Sequence, residues 1–303
     1  MFNTRLIITP KDYHFAQWEI PELRKHFKAV IEVKLPHRFL KKDDILLCYG
    51  YPRIEEYANA KCRAKFGMVY PAVGIRPWHP DLQDHLRIRR ISSTLEKYNA
   101  LFANEGPVWE KMRTHCPNMF LVPFSADGGL FKKTRIRTKF VRIIQVARQA
   151  IFKGREISYA AMQLMPYNWE LYPPQGRYHK EYTVTWLDLV KIYQDADGFL
   201  SPNIIGRPPK YDVDAKYNQA TMEAGLSGCL IFWHDCMNIG NSFETVFEIS
   251  TDPKEIAQKI QDVVGSIDLD KHSITTAQEF YEKCNAENAV RVKVGIMKRF
   301  CEL

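Results

Sequence analysis

Two cations five positions apart are the first residues whose spacing suggests chemistry. They lie in Val146-Ala147-Arg148-Gln149-Ala150-Ile151-Phe152-Lys153-Gly154, where a run of apolar residues gives way to a helical pattern. Arg148 and Lys153 therefore sit on a strand-to-helix loop, beside a helix start that itself favours anions. Two fixed cations there can hold a diphosphate and stabilise the charge that grows as it departs. Read alone, the same pair is two solvated surface charges. The second segment is Thr221-Met222-Glu223-Ala224-Gly225-Leu226-Ser227-Gly228. A carboxylate in the first turns of a short helix, such as Glu223, can accept hydrogen bonds from two neighbouring ribose hydroxyls. It also suits the helix dipole with no ligand at all.

Other candidates are weaker. Asp195-Ala196-Asp197 and Asp212-Val213-Asp214 both spell D-x-D, a spacing that can hold a divalent ion against a diphosphate. The first pair ends a helix, and the reading without a metal is preferred. His14, His79 and His234 fall near the ends of expected strands. A lone histidine is more often structural than catalytic. His14 is the one selected as catalytic, because it follows the first strand and would face a ligand bound at that strand's end.

The elements that would carry these residues alternate. Arg5–Thr9, Ala29–Val33, Asp44–Tyr49, Met68–Tyr70, Ala100–Ala103 and Met119–Val122 read as strands, with helices at 15–27, 53–65 and 108–113. A second set follows, with strands at Phe140–Ala147, Tyr182–Thr185, Gly198–Ser201 and Cys229–Phe232. Its helices run near 157–164, 187–194 and 218–226. Asp252-Pro253-Lys254-Glu255 reads as an N-cap, an N1 proline and a capping-box glutamate, and Thr276 to Glu279 repeats the capping-box pattern. Strands separated by helices imply parallel βαβ units. The basic stretch Lys132–Lys139 between the two sets is the expected linker, and ligands of such sheets bind at the carboxyl ends of the strands.

Composition fits this picture. A chain of 303 residues suggests about two domains. With 46% apolar and 26% charged residues, it has the balance of a soluble globular protein. The start, MFNTRLIITPKDYHF, shows no signal-peptide pattern. Seven cysteines with no CxxC pair argue against a disulfide framework or a structural zinc, and for a reducing, cytoplasmic setting. The net charge of +8 would suit anionic nucleotides, nucleic acid or an acidic membrane face. The aromatic residues are not interleaved with the basic runs as on a base-stacking platform, so nucleic acid is not an expected partner.

In this order the segments resemble the group 1, retaining glycosyltransferases of GT-B fold (glycosyltransferase family 4). Ala147-Arg148 through Lys153-Gly154 matches that family's G-R-x-x-x-x-K-G loop apart from its first glycine. Met222-Glu223-Ala224-Gly225-Leu226-Ser227-Gly228 is similar to the end of its E-x7-E signature. Between them, Leu189 to Pro202 resembles the family's helix ending in Ala-Asp and strand closing at P-S. Val122-Pro123-Phe124-Ser125-Ala126-Asp127 followed by Phe131 resembles V-I-P-N-G-V-D-x-x-x-F. The likeness covers roughly residues 119–300 by motif and the first hundred by element order only.

The resemblance implies an α/β GT-B chain: two Rossmann-like parallel-sheet domains facing a cleft, with a C-terminal helix crossing back to the first. The expected boundaries are 1–134 on the acceptor side, 135–275 for the nucleotide sugar, and 276–303 for the terminal helices. Arg148, Lys153 and His14 would be catalytic, and Glu223, Gly154, Tyr217, Asn218 and Ala215 would line the donor site. No metal or cofactor is expected, the nucleotide sugar being a co-substrate. The acceptor would be a saccharide, a lipid-linked group or a small molecule, and the basic surface would suit peripheral contact with the inner membrane face. Two departures bear on activity. The first glutamate of E-x7-E falls on Ala215, and Thr9-Pro10-Lys11-Asp12 replaces the glycine pair after the first strand. Two rivals therefore stay open, a non-catalytic GT-B-like binding module and a nucleic-acid binder using its basic linker.

Overall fold

The computed structural model describes residues 2–9, 14–33, 40–69, 85–104, 113–114, 116–147, 150–172, 186–206, 218–236, 238 and 240–301. They form two compact units, one of Met1–Ala126 with Cys284–Leu303 and one of Asp127–Lys283. The first boundary thus precedes the basic stretch, which belongs wholly to the second unit.

The first unit holds β1 (Phe2–Thr9), α1 (His14–Arg24), β2 (Phe27–Glu32), β3 (Ile45–Tyr49), α2 (Tyr51–Tyr57), β4 (Ala64–Val69), α3 (His85–Leu95), β5 (Ala100–Ala103) and β6 (Met119–Leu121). All strands pair in parallel in the order β2-β1-β3-β4-β5-β6. Such a sheet is covered on both faces, which is why β3 is apolar at every position. Ile45, Leu47 and Tyr49 pack on one side with Leu6, Ile8 and Phe66. Leu46 and Cys48 pack on the other with Ile54, Tyr57 and Ile91.

The second unit holds β7 (Arg142–Val146), a 3-10 turn (Ile151–Lys153), α4 (Arg155–Met162), β8 (Asn168–Tyr172), α5 (Trp186–Asp195), β9 (Gly198–Ser201), α6 (Gln219–Leu226), β10 (Leu230–Trp233), β11 (Val246–Glu248), α7 (Pro253–Ser266) and α8 (Leu269–Cys284). Its sheet is also parallel, ordered β11-β10-β9-β7-β8. The strand expected at 182–185 lies outside the described residues. β8, with only Leu171 buried among alternating polar and half-exposed positions, gave too short an apolar signal to be read from sequence. Asp252 caps α7 as expected, accepting from the amides of Lys254 and Glu255 at 2.8 and 3.1 Å. Thr276 caps nothing. It lies inside α8, where its hydroxyl bonds back to the His272 carbonyl at 2.9 Å.

The last helix, α9 (Ala286–Cys301), belongs to the first unit. Its Val290, Val294, Met297 and Cys301 complete the core around Ile20 and Leu23 of α1. At its centre Lys293 meets Glu19, with Nζ to the two carboxylate oxygens at 2.5 and 2.7 Å and both side chains 1% exposed. Tyr49 and Ser125 also donate to Glu19, at 2.6 and 2.5 Å. A buried charge persists only when paired and hydrogen-bonded in this way.

The basic stretch is a row of internal pegs. Lys133 pairs with Asp270 at 2.7 Å and Arg135 with Asp197. Arg137, 1% exposed, donates to Ser273 Oγ at 2.9 Å, to the Ala196 carbonyl at 3.0 Å and to the Ser227 carbonyl at 2.9 Å. Lys132, Thr134, Ile136 and Thr138 face outward in alternation with them. The stretch is therefore no mere linker, because Lys133, Arg135 and Arg137 serve the fold of the second unit while Lys132 and Lys139 stay exposed. Among the described residues no helix is long and apolar enough to cross a membrane, and no disulfide joins any of the seven cysteines.

Candidate functional site

In a doubly wound sheet the crevice opens where successive connections leave in opposite directions. In the second unit that point lies between β7 and β9, since β8 lies on one side of β7 and β9 on the other. The two loops at this crevice are locked together. Gly154 has φ +60°, and a Cβ built on it would stand 2.0 Å from the Pro202 carbonyl oxygen. Only glycine allows both the left-handed turn and that approach. The Ile204 amide donates to the Phe152 carbonyl at 3.0 Å. From beneath, Gln145 Nε2 donates to the Lys153 carbonyl at 2.7 Å and Arg155 to the Ala147 carbonyl at 2.6 Å.

This frame puts Lys153 on the 3-10 turn immediately before α4, with Nζ 5.6 Å from the Phe152 ring centroid. Lys153 and Gly154 lie on the connection from β7 to α4, beside that crevice. Arg148, Ala215, Tyr217, His79, Asp212 and Asp214 lie outside the described residues. His14 opens α1, at the exit of β1 and so at the corresponding crevice of the first sheet, between β1 and β3.

Glu223 sits within α6, only 2% exposed. Gln219, one turn earlier, donates to its Oε1 at 2.8 Å. Burial pushes the carboxyl up to about 8, against the lowering effect of Gln219 and of Tyr193. The fully enclosed Tyr193 phenol is near enough to act on that carboxyl, though without the geometry of a hydrogen bond. Asn218 caps α6, its Oδ1 accepting from the Thr221 amide at 3.0 Å and hydroxyl at 3.2 Å. The helix is held from behind by glycines. Gly225 lies against the Phe280 ring, where a Cβ would come within 2.4 Å. Gly228, with φ +75°, sits against Ser273 Oγ and Arg137.

Three polar residues at this edge went unread in the sequence. Gln145 and Asn203 are each 2% exposed and Ser158 is fully buried. Gln145 Oε1, Asn203 Nδ2 and Ser158 Oγ have no hydrogen-bond partner among the described residues. The available signal was a polar residue inside or just after an otherwise apolar strand, as in Ile143-Ile144-Gln145-Val146. The first D-x-D pair is not a metal site, because Asp197 is consumed by structure. Its carboxylate takes the Arg135 guanidinium and accepts from the amides of Val141 and Arg142 at 2.8 and 2.9 Å. No group of three His, Cys, Asp or Glu among the described residues is placed to hold a metal.

No protein-family profile matches the sequence, and no curated protein does. Solved structures match over the whole chain. HepE of Anabaena, in complex with UDP and glucose, superposes with a TM-score of 0.68 at 10% identity, over 98% of this chain and 100% of that one. The E. coli trehalose-6-phosphate protein bound with UDP-2-fluoro glucose gives 0.67 at 9% identity, over 99% of each chain. A UDP-N-acetylglucosamine 2-epimerase gives 0.58 at 11% identity, over 100% and 98%. At such identities the likeness speaks for architecture, and the architecture is the α/β GT-B fold of two parallel sheets.

Proposed function

We propose that this chain is a glycosyltransferase that moves a sugar from a nucleoside-diphosphate sugar to a hydroxyl acceptor. The observation that carries the reading is the locked crevice of the second unit. Gly154 is pressed on Pro202 with Lys153 beside it at the entry to α4, and Glu223 stands on the α6 that follows β9. Lys153 with Arg148 would hold the diphosphate and stabilise its charge as the glycosidic bond breaks, which is work a metal would otherwise perform. Glu223 would take the ribose hydroxyls. Interactions made only as charge develops on the leaving group raise turnover, whereas equal binding of substrate and transition state does not. Transfer would proceed with retention and without a bound metal or cofactor, as the family resemblance implies, and the first unit, with His14, would hold the acceptor. Structural neighbours add support: HepE was captured with UDP and glucose and the E. coli protein with a UDP-sugar analogue.

Ala215, with no polar atom where the resemblance expects a sugar-binding carboxylate, favours a second reading. In it the chain binds the nucleotide sugar without turning it over. A donor screen separates the two. UDP-, GDP-, ADP- and dTDP-glucose are compared by thermal shift on the native protein, and release of nucleoside diphosphate is then followed with the donor that binds. A ligand at 100 times its dissociation constant adds about 2.7 kcal/mol. Stabilisation with release means a transferase or hydrolase, and stabilisation without release under any acceptor means a binding module. No stabilisation by any of the four removes both.

A further inference from the structure

Two side chains at the carboxyl ends of β9 and β10 have no part in the cation loop or in Glu223. The Asn203 carbonyl lies 2.6 Å from His234 Nδ1. A carbonyl can only accept, so Nδ1 carries the proton and, in the neutral ring, Nε2 is a bare acceptor. His234 is half-buried, and its ring makes no other hydrogen bond among the described residues. Asn203 is 2% exposed and its Nδ2, a double donor, has no hydrogen-bond partner among the described residues. Buried amides left unpaired are uncommon and ask for a reason. The backbone between them fixes the pair: the His234 amide donates to Ser201 at 3.1 Å, and Pro202 carries the carbonyl on which Gly154 rests.

We propose that Asn203 and His234 together read a hydroxyl of the sugar being transferred, an assignment that rests on the donor reading above. A phosphate oxygen only accepts and is no partner for a bare imidazole nitrogen, whereas a hydroxyl both donates and accepts, which suits an acceptor at Nε2 and a donor at Nδ2. Asn203 follows β9, the neighbour of β7, and His234 follows β10, the next strand on the side away from β8. It supplies polar contacts to the sugar that Ala215 cannot.

Calorimetry on the full chain tests this with each nucleoside-diphosphate glucose of the screen beside its bare diphosphate. The variants are His234→Phe, which keeps a ring at a half-buried position, and Asn203→Ala. The expected result is a loss of about tenfold in affinity for the diphosphate sugar, while the bare diphosphate binds as before. Retained binding of the bare diphosphate shows at once that a variant is folded. If Asn203→Ala does not fold, His234→Phe decides the question alone. Equal losses for both ligands place the pair in the frame of the site and overturn the proposal, as does an unchanged affinity for the sugar. Native protein that binds none of these ligands overturns the donor reading itself, and this pair with it.

Discussion

At the scale of the residue, Glu223 ties stability to pH. Its carboxyl is pushed from the ordinary 4.5 up to about 8 by burial, so it is neutral through most of the physiological range. In the unfolded chain it would ionise near 4.5. Between these values the folded state holds the extra proton. The stability contributed by this group is therefore full below pH 4.5, declines across the window and is lost above about 8. Glu223→Gln should flatten that decline in urea melts. On the proposed donor reading ligand binding should run the other way, because a carboxylate holds two ribose hydroxyls more strongly than its acid, one oxygen of which becomes a donor. The ionised fraction grows about tenfold per pH unit below the midpoint, so affinity for the nucleoside-diphosphate sugar that binds should tighten by up to about tenfold between pH 6 and pH 7. It should level off above about pH 8. A dissociation constant independent of pH in the native protein would remove Glu223 from the ribose.

Among elements, the loop from β7 to α4 is the one most constrained. Gly154→Ala forces φ +60° on a residue with a Cβ and drives that Cβ onto the backbone of Pro202. Neither obstacle is a flexible side chain that can turn aside. The cost should be roughly 3 kcal/mol or more, seen as a lower urea midpoint at unchanged slope. Weaker binding of nucleoside diphosphate should accompany it. This glycine was legible in the sequence because a strand, a Lys-Gly and an apolar helix face follow one another there, and so were β9, α6 and the capped start of α7. β8 was not, since an edge strand with one buried residue leaves little apolar pattern. Nor was the use of the basic stretch. Charge runs read alike whether solvated or paired, and Asp270 and Asp197, the partners of Lys133 and Arg135, lie 137 and 62 residues away in the chain. Asn203 escaped notice because a polar residue after Ser-Pro looks like any loop residue until its amide is found buried.

For the molecule as a whole, the first sheet is closed by the last helix. Lys293 and Glu19 lie 274 positions apart and are enclosed together. Removing one leaves the other as an uncompensated buried charge. Lys293→Met should therefore cost about 3–5 kcal/mol, and adding Glu19→Gln should recover part of it by discharging the carboxyl while keeping an acceptor for one of Tyr49 and Ser125, which donate to different oxygens. A double-mutant cycle in urea measures this. Additive losses would mean that the two charges do not depend on each other. Much of the element order was visible in the sequence, though not α3, β8 or β11, and this pair was not, because a glutamate and a lysine at opposite ends of a chain carry no sign of meeting.

The closure of the first unit also has a genealogical side. The second unit is one continuous stretch, Asp127–Lys283, whereas the first is written in two pieces on either side of it. Where those pieces meet, the Ala126 amide donates to the Cys284 carbonyl at 2.8 Å and the Ala286 amide to the Ala126 carbonyl at 3.1 Å. The seam is already stitched by backbone. In topological terms the first unit is a host and the second a guest: the guest could be excised and its ends rejoined by a few residues without unpicking a strand, while a host cut off after Ala126 would lack its final helix. Two such pieces can change at different rates, the guest by replacement as a block and the host only by changes that keep both of its ends in register.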